Sequence, residues 1–214
     1  KMTDIDEIVQ MAYVFNRLRE PVLRTAIQAL QLPSGSRGLD AGCGAGLQTL
    51  SFAETVGPTG HITGLDLSPE NLAHARDIVK KAGLSDRISF REGDANELPF
   101  DDDTFDWAWS AALVGYAPLE PLPLVQELAR VTKPGGRVAI LAWSSERLLP
   151  GYPSLEARLG ATSAGIAPFV EGKRPALHFS RALGWFREAG LGGLTARTIA
   201  GDVHAPLSDA LREA

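Results

Sequence analysis

Apolar positions near the amino end recur at helical spacing. Ile5, Ile8, Val9, Ala12 and Phe15 predict one amphipathic helix. Val22, Leu23, Ala26 and Ile27 predict the buried face of a second, over 21–30, which Pro33-Ser34-Gly35 breaks. The period then shortens. Compact apolar runs predict strands at 38–41, 61–66, 88–91, 105–110 and 137–143. Helical patterns over 46–56, 69–82 and 122–132 alternate with them. In 69–82, Ser68 is the expected N-cap, Pro69 fits the first turn, Gly83 is the stop, and Leu72, Ala75, Val79 and Ala82 face inward. Strands alternating with helices predict an α/β fold: a doubly wound, mainly parallel sheet with helices on both faces. Its ligands bind at the carboxyl ends of the strands, near the switch in strand order. Asp40, Asp66, Asp94 and Ser110 all fall at or just after such ends.

Beyond Trp143 the pattern is less regular. Residues 144–178 hold glycine, proline and small residues with weak periodicity, as in a lid or loop. A helix is expected at 180–189, a strand at 194–199, and the start of another helix at 206–214.

Glycine clusters at one place, Gly38-Leu39-Asp40-Ala41-Gly42-Cys43-Gly44-Ala45-Gly46. This reads as strand, tight turn and helix start, where backbone N–H groups and the helix dipole favour an anion. One βαβ unit later, Asp66 ends a strand, where an acid accepts hydrogen bonds from ribose hydroxyls. A dinucleotide site has its third glycine at the sixth position, which here is Leu47. Asp40, two residues before Gly42, repels a pyrophosphate and suits an ammonium. An adenosine ligand with both an ammonium and a carboxylate is S-adenosylmethionine.

Further segments follow in order: Asp66-Leu67-Ser68-Pro69-Glu70, Arg91-Glu92-Gly93-Asp94-Ala95, Leu98-Pro99-Phe100, Asp103-Thr104-Phe105-Asp106, and Val131-Thr132-Lys133-Pro134-Gly135-Gly136-Arg137-Val138. Over residues 35–145 this set resembles the class I S-adenosylmethionine-dependent methyltransferases, in the type 11 branch with the ubiquinone and menaquinone biosynthesis enzymes. The resemblance implies a Rossmann-like fold and cofactor contacts at Asp40, Gly42, Cys43, Gly44, Asp66, Leu67, Asp94, Ala95 and Ser110. It implies that Asp94 accepts from the adenine amino group, with the Ala95 N–H beside it and Leu67 on the ring. Cys43 would be a small packing residue. The first helix would cover the cofactor and bring Tyr13 near it. Family members that act on adenine or glutamine amides carry Asn-Pro-Pro-Tyr where this chain has Ser110-Ala111-Ala112-Leu113, which disfavours such acceptors. The family fold also closes with an antiparallel strand for which the sequence has no convincing candidate, so either the chain is part of a longer protein, the favoured expectation, or the sheet is incomplete.

The expected organisation is one methyltransferase domain over 1–214. Residues 1–34 form cap helices, 35–143 the cofactor-binding core, 144–179 a lid or insertion, and 180–214 a carboxy-terminal part. The expected reaction is methyl transfer to a small, largely apolar metabolite. The alternatives are a cofactor-binding module without transferase activity and a nicotinamide-dependent oxidoreductase. No universal catalytic residue is required, because the cofactor carries the electrophile. Tyr116 and His178 are candidates for shaping the acceptor pocket or serving as base, and Trp143 for walling it. His204 follows the last expected strand as a weaker candidate. His61 and His74 read as structural and surface residues, and Trp107 and Trp109 as packing residues.

Composition narrows this further. A net charge of −5 over 214 residues, with scattered basic residues, argues against nucleic-acid partners. No apolar stretch is long enough to span a bilayer, and the first residues lack a signal-peptide layout. A single cysteine excludes an internal disulfide and fits a cytoplasmic setting. No metal-ligand spacing is evident, and Asp101-Asp102-Asp103 reads as a solvated loop.

Overall fold

The computed structural model describes residues 19–114, 120–143, 151–155, 158 and 179–201. Within them lie five strands: β1 (Arg37–Ala41), β2 (His61–Asp66), β3 (Ile88–Glu92), β4 (Phe105–Ala111) and β5 (Thr132–Leu141). They form one sheet in the order β3-β2-β1-β4-β5, and every pairing is parallel. The chain runs outward from β1 to β3, returns to β4 on the other side of β1, and continues to β5. The switch in direction therefore falls between β1 and β4.

Helices cover both faces. Helix α1 includes residues 19–29, α2 is Leu47–Thr55 and α3 is Pro69–Lys81. Their Ala26, Ile27, Phe52, Ala53 and Val79 pack with Ile62, Ile88, Trp107 and Trp109 on one face of the sheet. Helix α4 (Pro121–Arg130) and helix α5 (Ala182–Glu188) cover the opposite face. There Leu124, Val125, Leu128 and Trp185 pack with Leu39, Ala41, Leu65 and Ala108. The split follows from strand periodicity: Trp107 and Trp109 point one way and Ala108 the other.

The two indoles anchor the first layer. The Phe52 ring lies 4.7 Å from Trp107 and 5.4 Å from Trp109. Trp107 lies so flat across β1 that a Cβ on Gly38 would stand 1.9 Å from its ring. Each indole N–H is satisfied: Trp107 Nε1 donates to Ser36 Oγ at 2.9 Å, and Trp109 Nε1 to Gln48 Oε1 at 3.1 Å. Both tryptophans are packing residues, as expected.

The predicted elements recur within a few residues, with four differences. Helix α4 ends at Arg130 and β5 begins at Thr132, because the Pro134-Gly135-Gly136 turn is taken up within the strand as a bulge opposite Asp106. Helix α3 buries Leu72, Ala75 and Val79, but Ala82 is its exposed C-cap, one residue past the buried stripe. The expected 180–189 helix opens with a 3₁₀ turn over Phe179–Arg181. The strand expected at 194–199 does not form: 194–200 has no regular structure. Leu191 packs with the α4 layer and Ile199 with the α1 layer, so this stretch crosses from one face of the sheet to the other. Such a path trades a straight strand's ladder for two apolar anchors. The expected first helix, most of the lid at 144–179 and the helix at 206–214 lie outside the described residues.

Candidate cofactor site

Parallel pairing puts every strand's carboxyl end on one side. Asp40 on β1 is opposite Gly64 of β2 and Trp109 of β4, and Asp66 closes β2. The glycine turn after β1 is pinned beneath them. The N–H groups of Gly42 and Cys43 donate to the Leu65 carbonyl at 2.8 and 3.0 Å, and that of Gly46 to the Cys43 carbonyl at 3.0 Å.

Two glycines serve different ends. Gly46, with φ +78°, is the N-cap of α2, and a Cβ there would stand 2.8 Å from Ala75 Cβ of α3. It lets the two helices approach. Gly44, with φ +53°, would place a Cβ with none of the described residues' atoms within 4 Å. The turn is therefore bare where a ligand would meet it.

Asp66 is held by three donors. The Gly44 N–H reaches Oδ2 at 2.9 Å, while the Ser68 N–H and Asn71 Nδ2 reach Oδ1 at 3.0 and 3.2 Å. Ser68 is the N-cap of α3, accepting from the Asn71 N–H at 3.1 Å, with Pro69 in the first turn. The acid is thus fixed by the helix it precedes. Leu67 beside it is 63% exposed.

Asp40 is 2% exposed, and its Oδ2 accepts from the Thr49 hydroxyl of α2 at 2.7 Å. Burial raises its pKa to about 7, and the nearby Asp66 charge pushes the same way, while the Thr49 hydrogen bond opposes them. Cys43 is buried. Burial first, then the Asp40 and Asp66 charges, lifts its thiol well above the ordinary range, which fits packing and not a thiolate nucleophile. Its sulfur would lie 2.9 Å from a Cβ on Gly64.

The other expected site residues divide. Asp94 is exposed just after β3, and its Oδ1 accepts the Asn96 N–H and Nδ2, both at 2.8 Å. Ala95 is buried in the α4 layer. Ser110, by strand alternation, shares the face of Ala108 and not that of Asp40 and Asp66. Its Oγ is buried with no hydrogen-bond partner among the described residues. Trp143 is half-buried, with the Arg19 guanidinium 4.6 Å from its ring centroid. Tyr13, Tyr116, His178 and His204 lie outside the described residues. His61 Nε2 sits 2.9 Å from Ser89 Oγ at the far end of β2, and burial, then Arg37, lowers its pKa. His74 is half-buried on α3.

Sequence reasoning missed Thr49 and Asn71. Thr49 had one signal, a hydroxyl on the inward face of α2; Asn71 was hidden in an ordinary helix first turn. Among the described residues, no group of three or more His, Cys, Asp or Glu is placed to hold a metal ion, and no helix is long and apolar enough to cross a membrane. A concavity of about 420 Å³ lies at the opposite, amino end of the strands, by Ser36, Asp106 and Lys133, and includes none of the candidate residues.

A family model described as a methyltransferase domain matches residues 39–136. Demethylmenaquinone methyltransferase of Bacillus cytotoxicus (strain DSM 22905 / CIP 110041 / 391-98 / NVH 391-98) is 32% identical over 149 residues, covering 70% of this chain and 62% of the relative. Methyltransferase GfsG of Streptomyces halstedii is 39% identical over 113 residues, covering 53% and 40%. The chain thus spans only 40% to 62% of the length of these curated relatives. Among solved structures, the [4+2]-cyclase SpnF is 30% identical with a TM-score of 0.58, over 78% of this chain and 56% of that one. A SAM dependent methyltransferase from Aquifex aeolicus shares the fold at 24% identity and a TM-score of 0.58, over 78% of each chain.

Proposed function

We propose that this chain, similar over residues 39–136 to a methyltransferase-domain family and to demethylmenaquinone methyltransferases, is a class I S-adenosylmethionine-dependent methyltransferase of the branch with the ubiquinone and menaquinone enzymes and methylates oxygen, carbon or nitrogen of a small, largely apolar metabolite. The observation that carries this reading is the buried Asp40 carboxylate beside the bare Gly44 turn and the clamped Asp66. These residues fit S-adenosylmethionine on chemical grounds. Asp40 faces no offsetting cation among the described residues, so a cationic ligand group satisfies it. Asp66 offers a fixed acceptor to ribose hydroxyls, Leu67 an apolar surface to the adenine ring, and Asp94 with the Ala95 N–H an adenine-edge pair. Gly42 and Cys43 complete the expected wall and Tyr13 its cover, while the Ser110 side chain faces the other side of the sheet.

The cofactor, when bound, supplies an activated methyl group on a sulfonium. The protein's part is to position and desolvate. Residues 1–34 would cap the site, 35–143 hold the cofactor, 144–179 close over the acceptor, and 180–214 complete the domain. Tyr116 and His178 are the candidate groups for moving an acceptor proton. A cytoplasmic setting, an acceptor that is a small molecule and no nucleic-acid partner belong to the same reading.

Titration calorimetry with S-adenosylmethionine and with NAD tests the cofactor. Formation of S-adenosylhomocysteine across an acceptor panel tests the reaction; the panel should include a demethylmenaquinone, after the curated relatives' name. Because one similar structure is named for a cyclisation, turnover decides, not binding. Binding without turnover on any acceptor would leave a module without transferase activity. Deleting part of 150–175 is expected to impair turnover more than cofactor affinity. Equal loss of both in a folded deletion would assign that stretch to the cofactor site or the core.

A further inference from the structure

We propose that Thr49 is a positioning residue of the cofactor site: its hydroxyl aims the Asp40 carboxyl and favours its ionised form, and uptake of the cationic cofactor expels the Asp40 proton to solvent. The inference rests on the reading above and adds to it a residue and a coupled proton.

Helical threonine hydroxyls ordinarily bond back to the carbonyl four residues earlier. Thr25 and Thr55 do so here, donating to the Pro21 carbonyl at 2.9 Å and the Ser51 carbonyl at 2.8 Å. Thr49 does not. It is fully buried, and its hydroxyl crosses from α2 to β1 to reach Asp40 Oδ2 at 2.7 Å. A threonine spent this way serves the carboxylate and not its own helix.

The surroundings of Asp40 explain why it needs one. Its sheet neighbours are the uncharged Gly64 and Trp109, and the glycine turn contributes a buried, neutral Cys43. The charge acting on it among the described residues is that of Asp66, which opposes ionisation. A buried acid in that setting keeps its proton until a cation arrives. A hydroxyl donor favours the charged form and aims one oxygen, leaving the other for the ligand. The carboxyl O–H bond breaks, the proton passes to water, and the carboxylate pairs with the incoming positive charge.

The test is calorimetry of the whole chain with S-adenosylmethionine, between about pH 5.5 and pH 8.5, in buffers of different ionisation enthalpy. Wild-type affinity is expected to rise about 25-fold between pH 5.5 and pH 7.5, with proton release on binding. Thr49→Val should move the pH midpoint upward by about one unit, weakening binding about tenfold below about pH 6 and hardly at all near about pH 8.5. Thr49→Ser should restore both, and Asp40→Asn should abolish the release. Equal weakening by Thr49→Val at every pH, in a protein folded by circular dichroism, would mean packing alone and would overturn the proposal. If that variant fails to fold, wild-type binding without proton release overturns it instead. Absence of any binding heat from the wild type would also remove the cofactor site proposed above, a result distinct from pH-independent binding.

Discussion

At the scale of single residues, two acids on one site are held in opposite ways. Asp66 is half-exposed and held by three donors, whereas among the described residues Asp40 is buried with one donor and a like charge nearby. Asp66→Ala is expected to weaken S-adenosylmethionine binding by about 1.5–3 kcal/mol, the scale of hydrogen bonds to a charged group. Unchanged affinity of the folded variant would remove Asp66 from the site. Asp40 predicts a stability signature as well. Its folded pKa of about 7 lies above an unfolded value of about 3.9. The native state therefore holds the extra proton, and the Asp40 contribution falls as pH rises through that window. Asp40→Asn should gain on the wild type by up to about 4 kcal/mol as pH rises from about 4 to about 7 without cofactor. Denaturant titrations of both proteins across that range measure the difference.

Elements set how those residues meet. Helix α2 is fixed at both ends: Gly46 admits Ala75 of α3 at its start, and Arg87 Nη2 donates to the Ala53 and Gly57 carbonyls at its end. A guanidinium there also complements the negative end of the helix dipole. The turn glycines should consequently respond differently to a methyl group. Gly46→Ala adds a close contact to a left-handed backbone and is expected to cost about 2–3 kcal/mol of stability. Gly44→Ala meets no neighbour among the described residues, so it should cost about 1 kcal/mol of stability while its methyl occupies the bare turn and lowers cofactor affinity. Thermal melts paired with calorimetry separate the two effects. Similar melts for both variants would count against the packing role of Gly46.

At the scale of the molecule, polar groups also tie the layers together. Arg130 at the end of α4 donates to the Leu98 carbonyl at 3.0 Å and the Phe100 carbonyl at 2.8 Å, and pairs with Glu127 and Asp102. Glu127 in turn accepts the Leu98 N–H at 2.7 Å, and the Arg130 hydrogen bond holds its carboxyl below the usual range. This network fastens the β3–β4 connection to the α4 layer. Arg130→Ala is expected to lower the melting temperature by about 2–8 °C, from about 1–2 kcal/mol of lost hydrogen bonding. A melt within one degree of the wild type would show the network to be solvated surface. Because the folded pKa of Glu127 is depressed, its share of stability is present at neutral pH and is lost as pH falls through that value.

The sequence alone determined the alternation of strand and helix, because periods of two and 3.6 residues are local properties. It also determined the glycine turn, the Ser68 cap and the placement of Asp40 and Asp66 at strand ends, since parallel strands put those ends together. Only the tertiary structure decided which helix face met which acid. Thr49 is an ordinary helical threonine until α2 lies on β1, and only then does its hydroxyl reach Asp40. Gly38 looks like a weak strand residue until Trp107 covers it. Ser110 sits at the expected strand end, yet strand alternation turns its side chain from the acids, a matter of register and not of motif. The stretch 194–199 has a strand's composition, but Leu191 before it and Ile199 at its end are anchored on opposite faces of the sheet, and that path is settled by where α1 and α4 leave apolar surface to cover.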